Sequence, residues 1–167
     1  MKTIALLRAV NVGGTGKLPM AELKAMAEEL GFENAQTYIA SGNLLFDTGL
    51  KEAAVRSKLE KRLEDYAGKP VGVTGRTASE MAKVVADNPF ASEPGNRVVA
   101  IFLNEAPAKS VLTDHKGLAD ERIALGNREI YVHYPTGQGT SRLVIPAAKA
   151  GTARNMNTVE KLAQLAQ

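Results

Sequence analysis

Cysteine and tryptophan are both absent from this 167-residue sequence, histidine occurs twice, and phenylalanine and tyrosine occur four times each. Without a thiol there is no disulfide, no thiolate zinc site and no cysteine nucleophile. His115 and His133 stand alone, with no further ligands at helical or hairpin spacing around them, so no metal site is expected. Eight aromatic residues are few for a protein that reads bases by stacking. Long hydrophobic runs are missing too. The apolar start Ile4-Ala5-Leu6-Leu7 meets Arg8 and Asn11 before it reaches the length of a secretory signal core. No stretch approaches the roughly 18 apolar residues that a membrane span requires. These absences lead to the expectation of a cytoplasmic chain without a membrane segment, in keeping with a reducing compartment.

What is present is ordinary globular material, 44% apolar and 23% charged, at a length typical of one domain or two small packed halves. The net charge of +3 is unevenly spread. Residues 1–96 carry 12 basic and 12 acidic side chains, whereas residues 97–154 carry 8 basic and 5 acidic. From Ile130 to Val159 there is no acid at all, while Arg142, Lys149 and Arg154 supply cations. Such a segment favours an anionic partner, or else forms a mildly basic solvated face.

Periodicity and punctuation predict the elements. Thr3–Val10 reads as a buried strand and the Asn11–Lys17 stretch as a connection. Met20, Leu23, Met26, Ala27 and Leu30 recur at helical spacing, with Pro19 at the start and Gly31 as the stop. A hairpin turning at Ser41-Gly42-Asn43 follows, then a helix with Val55, Leu59, Leu63 and Tyr66 on one stripe and Gly68 at its end. Val71–Thr74 reads as a short strand. Thr77-Ala78-Ser79-Glu80 reads as a capping box opening a helix that stops before Asn88-Pro89. Beyond it the pattern predicts a strand over Arg97–Leu103, a short helix near Ala108–His115 and a second hairpin around Gly126-Asn127. A helix near Ser141–Lys149, a polar loop Gly151–Asn157 and a final helix capped by Asn157 with Glu160 complete the chain.

Ile39-Ala40-Ser41-Gly42-Asn43 echoes Ile123-Ala124-Leu125-Gly126-Asn127, and both halves read strand–helix–strand–strand–helix. The expectation is therefore an α+β protein of two ferredoxin-like (split βαβ) halves, about 2–76 and 97–150, packed as one compact unit with a C-terminal helix over 157–166.

Gly13-Gly14-Thr15-Gly16-Lys17 after a strand invites comparison with a phosphate loop. Asn11 stands where that motif needs glycine, and Leu18 stands where it needs a hydroxyl for magnesium. A Walker-type site is therefore not expected, though consecutive glycine amides at Gly13 and Gly14 still suit a looser anion-binding concavity. Ser41 lies in Ser-Gly-Asn and not in a nucleophile elbow. The local candidate for an anion is Gly151–Thr158, where Thr152, Arg154, Asn155 and Asn157 precede a helix N-terminus. Arg154 offers a guanidinium fork. The competing reading is that Asn157 caps the helix and Arg154 pairs with a carboxylate of another element.

Four blocks stand out together: Leu6-Leu7-Arg8-Ala9-Val10-Asn11-Val12-Gly13-Gly14, Pro19-Met20-Ala21-Glu22-Leu23, Tyr38-Ile39-Ala40-Ser41-Gly42-Asn43 and Thr152-Ala153-Arg154-Asn155-Met156-Asn157-Thr158-Val159. In this order they resemble a bacterial family designated domain-of-unknown-function family 1697. The resemblance covers nearly the whole chain and implies an α+β fold of ferredoxin-like units, with no activity, cofactor or catalytic residue attached. The sequence departs from that family at Ala9-Val10 (commonly Gly-Ile), Ala153 (Thr) and Met156 (Trp). The last change removes an aromatic from the loop.

If strand end, hairpin and final loop converge, Arg8, Asn11, Ser41, Asn43, Arg154, Asn155 and Asn157 make a polar cleft with two guanidinium groups. The leading expectation is a small binding protein for a phosphate-bearing ligand, a nucleotide or nucleic-acid backbone. The alternatives are an enzyme acting on a small anionic metabolite, which lacks an evident proton-transfer group, and a protein-interaction module. No catalytic residue and no cofactor is assigned.

Overall fold

The structure is a computed structural model, and it describes residues 1–11 and 17–167. The chain is a mixed α/β protein with two four-stranded antiparallel sheets and, among the described residues, four α-helices. It divides into two compact units, Met1–Met81 with Leu165–Gln167, and Ala82–Gln164.

In the first unit the order is β1 (Lys2–Leu7), α1 (Met20–Glu29), β2 (Glu33–Thr37), β3 (Asn43–Asp47), α2 (Glu52–Ala67) and β4 (Val73–Thr77). The sheet runs β2-β3-β1-β4, so the first strand is central, pairing Ile4 with Leu45 on one side and Arg76 on the other. One face of that sheet, with Ala5, Leu7, Leu44, Phe46 and Val73, packs on Leu23, Met26 and Ala27 of α1 and Val55, Leu59 and Leu63 of α2. Phe32 stacks on Phe46 with centroids 4.2 Å apart. Both helices end as their sequences predict. Gly31 and Gly68 take positive φ just past the last turn, and the Gly68 amide donates to the Glu64 carbonyl at 2.8 Å.

The helix α3 (Ala78–Ala86) opens on the predicted capping box. The Thr77 amide donates to Glu80 Oε1 at 2.9 Å, and the Glu80 amide donates to Thr77 Oγ1 at 3.2 Å.

The second unit contains β5 (Val98–Phe102), β6 (Arg122–Leu125), β7 (Glu129–His133), β8 (Thr152–Asn155) and most of α4 (Met156–Leu165). Its sheet runs β6-β7-β5-β8, the same positional order as the first. The covering layer differs. Where the first unit has α1 and α2, the second has 3-10 turns at Lys109–Leu112 and Pro146–Ala150 over Val99, Ile101, Ile130, Val132 and Ile145.

Three sequence expectations fail here. The helix expected near Ser141–Lys149 does not form, because Pro146 holds Ile145 extended and Val144 forms a bridge with Lys116. The expected polar loop Gly151–Asn157 is largely strand β8, paired antiparallel with β5. The helix cap is Asn155, whose Oδ1 accepts from the Thr158 amide at 3.0 Å, and not Asn157. The pentapeptide echo is also offset: Ile39–Gly42 turn between β2 and β3, whereas Ile123–Leu125 lie within β6.

A different repeat is real. Arg76 on β4 pairs with Ile4, and Arg154 on β8 pairs with Ala100, each on the edge strand beside a central strand. Both are buried, and both donate Nη1 to the preceding carbonyl, of Gly75 at 2.8 Å and of Ala153 at 2.9 Å. Each is followed by a capping residue, Thr77 or Asn155, and a helix.

Candidate functional site

The end of β1 is the most elaborated backbone in the first unit. The Leu7 amide donates to the Gly42 carbonyl at 2.8 Å, and the Arg8 amide donates to the Gly72 carbonyl at 2.9 Å. Ala9 and Asn11 then take φ of 54° and 56°, and Ile39 in the facing turn takes 53°. For a β-branched residue that conformation is an outlier, costing about 1–2 kcal/mol. Backbone strain of this kind persists only where the surroundings over-determine it. Here the over-determination is visible. Asn11 Nδ2 donates to the carbonyls of Leu18 and Ala40, both at 2.8 Å, and Asn11 Oδ1 accepts from the Leu18 amide at 2.6 Å. One side chain therefore ties the end of β1 to the start of α1 and to the β2–β3 turn. Asn43, fully buried, braces the same turn by donating Nδ2 to Tyr38 O at 2.8 Å and to Ser41 Oγ at 2.9 Å.

Beside this braced segment lies a cleft of about 820 Å³. It is lined by the end of β1 with Lys17 and Leu18, by the last two turns of α2 and by the connection into β4, whose Gly72 lies against the Arg8 side chain. Arg8, Lys17 and Lys69 bring cations to it, Glu60 and Glu64 bring carboxylates, and Tyr66 brings an aromatic ring. Arg8 and Lys17 are exposed, and neither forms an ion pair among the described residues. A volume of this size falls within the roughly 300–1,000 Å³ of small-molecule sites.

Of the residues singled out from sequence, Arg8 lines this cleft. Asn11, Ser41 and Asn43 belong to the bracing beside it, with the Asn11 amide engaged at both ends. Gly13 and Gly14 lie outside the described residues. Arg142, Thr152, Arg154, Asn155 and Asn157 belong to the second unit. There Arg154 is buried on β8, and burial pulls its pKa down to about 10. Thr152 is buried on the same strand, Asn155 caps α4, and Asn157 packs where a side chain on Gly95 would clash with its Oδ1. Arg142 is exposed, and its carbonyl presses on Gly117. Lys17, which the sequence places only in the comparison with a phosphate loop and not among the binding candidates, also lines the cleft. The residues missed altogether are Lys69, Tyr66, Glu60 and Glu64. Their only signal was position: they fall on and just past the end of a helix whose apolar stripe had already accounted for the segment.

The second unit offers one other cluster of chemically capable groups. His133 is buried between Glu93, whose Oε2 lies 3.4 Å from Nε2, and Arg122, whose Nη2 lies 3.0 Å from Nδ1. Phe90 stacks on the imidazole at 5.7 Å, and the Arg122 guanidinium sits 5.1 Å over the Phe90 ring. An arginine can only donate, so Nδ1 accepts and Nε2 carries the hydrogen facing Glu93. With both ring nitrogens engaged inside the cluster, the imidazole is held as a structural clasp. Elsewhere Glu121 accepts from the Ser141 hydroxyl and from the Ala119 amide at 2.7 Å, and these bonds hold its carboxyl below the usual range. Among the described residues no group of three or more His, Asp or Glu could hold a metal ion. No helix there is long and apolar enough to cross a membrane.

Residues 1–131 match the family described as Protein of unknown function (DUF1697). No curated protein matches the chain. Among solved structures, a conserved bacterial protein, SP0830 from Streptococcus pneumoniae, superposes with a TM-score of 0.82 at 24% identity, covering 99% of this chain and 98% of that one. That likeness is one of fold.

Proposed function

The chain belongs to the DUF1697 family, and from the geometry of its first unit we propose that it binds a phosphate-bearing ligand in the cleft at the end of β1. The observation that carries this reading is the meeting of two cations, Arg8 and Lys17, that form no ion pair among the described residues, on a cleft of about 820 Å³ beside strained and heavily braced backbone. Exposed cations gain little from burial. A guanidinium and an ammonium set on one rim suit a phosphate, the first as a planar fork and the second as a point charge. The hydrogen bonds of Asn11 to Leu18 and Ala40 hold that rim in place against the strain at Ala9, Asn11 and Ile39.

The same proposal includes a cytoplasmic location, expected from the composition. It also reads each sheet as a ferredoxin-like unit. Supporting that reading, both sheets place their first strand at the same interior position, and the first unit has two crossover helices. In the second unit the crossovers shrink to 3-10 turns.

The test is a titration at low salt with inorganic phosphate, AMP, ATP and a single-stranded oligonucleotide, followed by thermal shift and calorimetry. Arg8→Ala is expected to weaken binding about 10- to 100-fold, the worth of one charge-assisted hydrogen bond. Affinity is expected to fall as salt rises. If no phosphate-bearing probe shifts the melting temperature at low salt, the proposal fails.

A further inference from the structure

The cleft is not uniformly basic, and its acidic groups sit on one side. Glu60 and Glu64 are one helical turn apart on α2, and both line the cleft. Neither forms an ion pair among the described residues. The final turn of α2, where the helix carries its partial negative charge, contains no basic residue, and Tyr66 and Ala67 from that turn also line the cleft. Two carboxylates and a helix C-terminus thus give α2 a negative potential, with the cation of Lys69 just beyond the helix end. Arg8 and Lys17 come to the same cleft from the segment that follows β1.

Such a site discriminates. A polyanion such as a nucleic-acid strand passing through it meets the carboxylates after it meets the cations, and repulsion offsets the attraction. A bare phosphate uses only half of the cleft. A ligand whose phosphate faces Arg8 and Lys17, and whose far end is positive, satisfies both the cations and the carboxylates.

We infer that the ligand is a small phosphomonoester that also carries a cationic amine, its phosphate on the Arg8–Lys17 rim and its ammonium against Glu60 and Glu64. The inference rests on the phosphate-binding reading of the same cleft. It assigns to Glu60 and Glu64 a role in specificity, with the amine replacing water around two carboxylates that no lysine or arginine among the described residues pairs with.

Matched probes test it in calorimetry on the full chain: O-phosphoethanolamine against inorganic phosphate, and glucosamine 6-phosphate against glucose 6-phosphate. The second pair extends the reach, so the result does not hang on one spacing. At least one amine-bearing member is expected to bind tenfold or more tightly than its partner. In the Glu60→Gln/Glu64→Gln double variant that preference is expected to vanish, while affinity for inorganic phosphate rises. Circular dichroism and the melting profile check that the variant folds, and Glu64→Gln alone, at an exposed position, gives a milder version of the same loss. Equal affinity within both pairs overturns the amine assignment and leaves the phosphate reading standing. A preference that survives the double substitution also overturns it, since the amine would then sit elsewhere. No binding by any of the four probes removes both readings together.

Discussion

Replacing Gly42 with alanine puts the physics of the braced turn to a direct test. Gly42 sits at φ 89°, where an L residue costs about 1–2 kcal/mol. A Cβ there would also lie 2.7 Å from Val10 Cγ2 and 2.9 Å from Leu7 Cβ. The latter is fixed to a central strand and has little room to retreat. Overpacking of that kind adds about 1–3 kcal/mol, so the two effects together predict a loss of about 2–5 kcal/mol. Two other glycines separate the contributions. Gly31 has φ 84° with nothing within 4 Å of its added Cβ, so Gly31→Ala isolates the backbone cost of about 1–2 kcal/mol. Gly49 has open space and no positive φ, so Gly49→Ala is expected to be neutral or to stabilise by about 0.4–1 kcal/mol. Urea unfolding of the three variants, read as shifts in midpoint at unchanged slope, ranks them. If Gly42→Ala proves no more damaging than Gly31→Ala, the close packing of the turn against β1 is not what holds it, and the argument that the rim of the cleft is rigidly braced falls with it.

Tyr131, nearly fully buried, donates its hydroxyl at 2.7 Å to the carbonyl of Val84 in the last turn of α3. Tyr131→Phe leaves that carbonyl short of a donor and is expected to cost about 1–3 kcal/mol in urea unfolding. Burial also raises the Tyr131 pKa above that of an unfolded tyrosine, so its contribution is present below the ordinary phenol range and is lost as pH rises through the folded value. Alkaline unfolding of the wild type should therefore be steeper than that of the phenylalanine variant. Glu121 acts in the opposite direction. Hydrogen bonds from Ser141 and from backbone amides lower its pKa, so its contribution is present above the ordinary carboxylate range and fades as pH falls through the folded value. Urea midpoints measured down the acid limb should fall less for Glu121→Gln than for the wild type; parallel curves would refute the assignment.

The contrast between Arg8 and Arg154 shows how far residue type carries in a sequence. Both stand in polar blocks that invite a ligand, and each is the strongest cation of its block. Arg8 follows the last paired residue of β1, so it leaves the sheet and reaches the cleft. Arg154 lies two residues into β8, paired with Ala100, and is buried. No local signal separates the two. The strand Thr152-Ala153-Arg154-Asn155 has no alternation of apolar and polar residues and is bounded by no turn on its C-terminal side, so its pattern predicts a loop. It becomes a strand because β5, some fifty residues earlier, has an open edge for it. The reading of Asn157 as the cap failed for the same reason: once the strand extends to Asn155, the helix begins earlier.

What the sequence alone determined is local. The capping box at Thr77–Glu80, the stops at Gly31 and Gly68, the buried Val55, Leu59 and Leu63 of α2 and the turn at Gly126-Asn127 all depend on residues within one or two turns of each other, and all appear where the pattern placed them, whereas Tyr66, expected on the same stripe, is exposed. Only the tertiary structure decided which edge strand Arg154 joined, that 3-10 turns and not helices cover the Val99–Ile101–Val132 face of the second sheet, and that Glu60, Glu64 and Tyr66 share a cleft with Arg8 and Lys17. Those outcomes depend on backbone hydrogen bonds and side-chain contacts between segments tens of residues apart, whose energy no window of neighbouring residues contains.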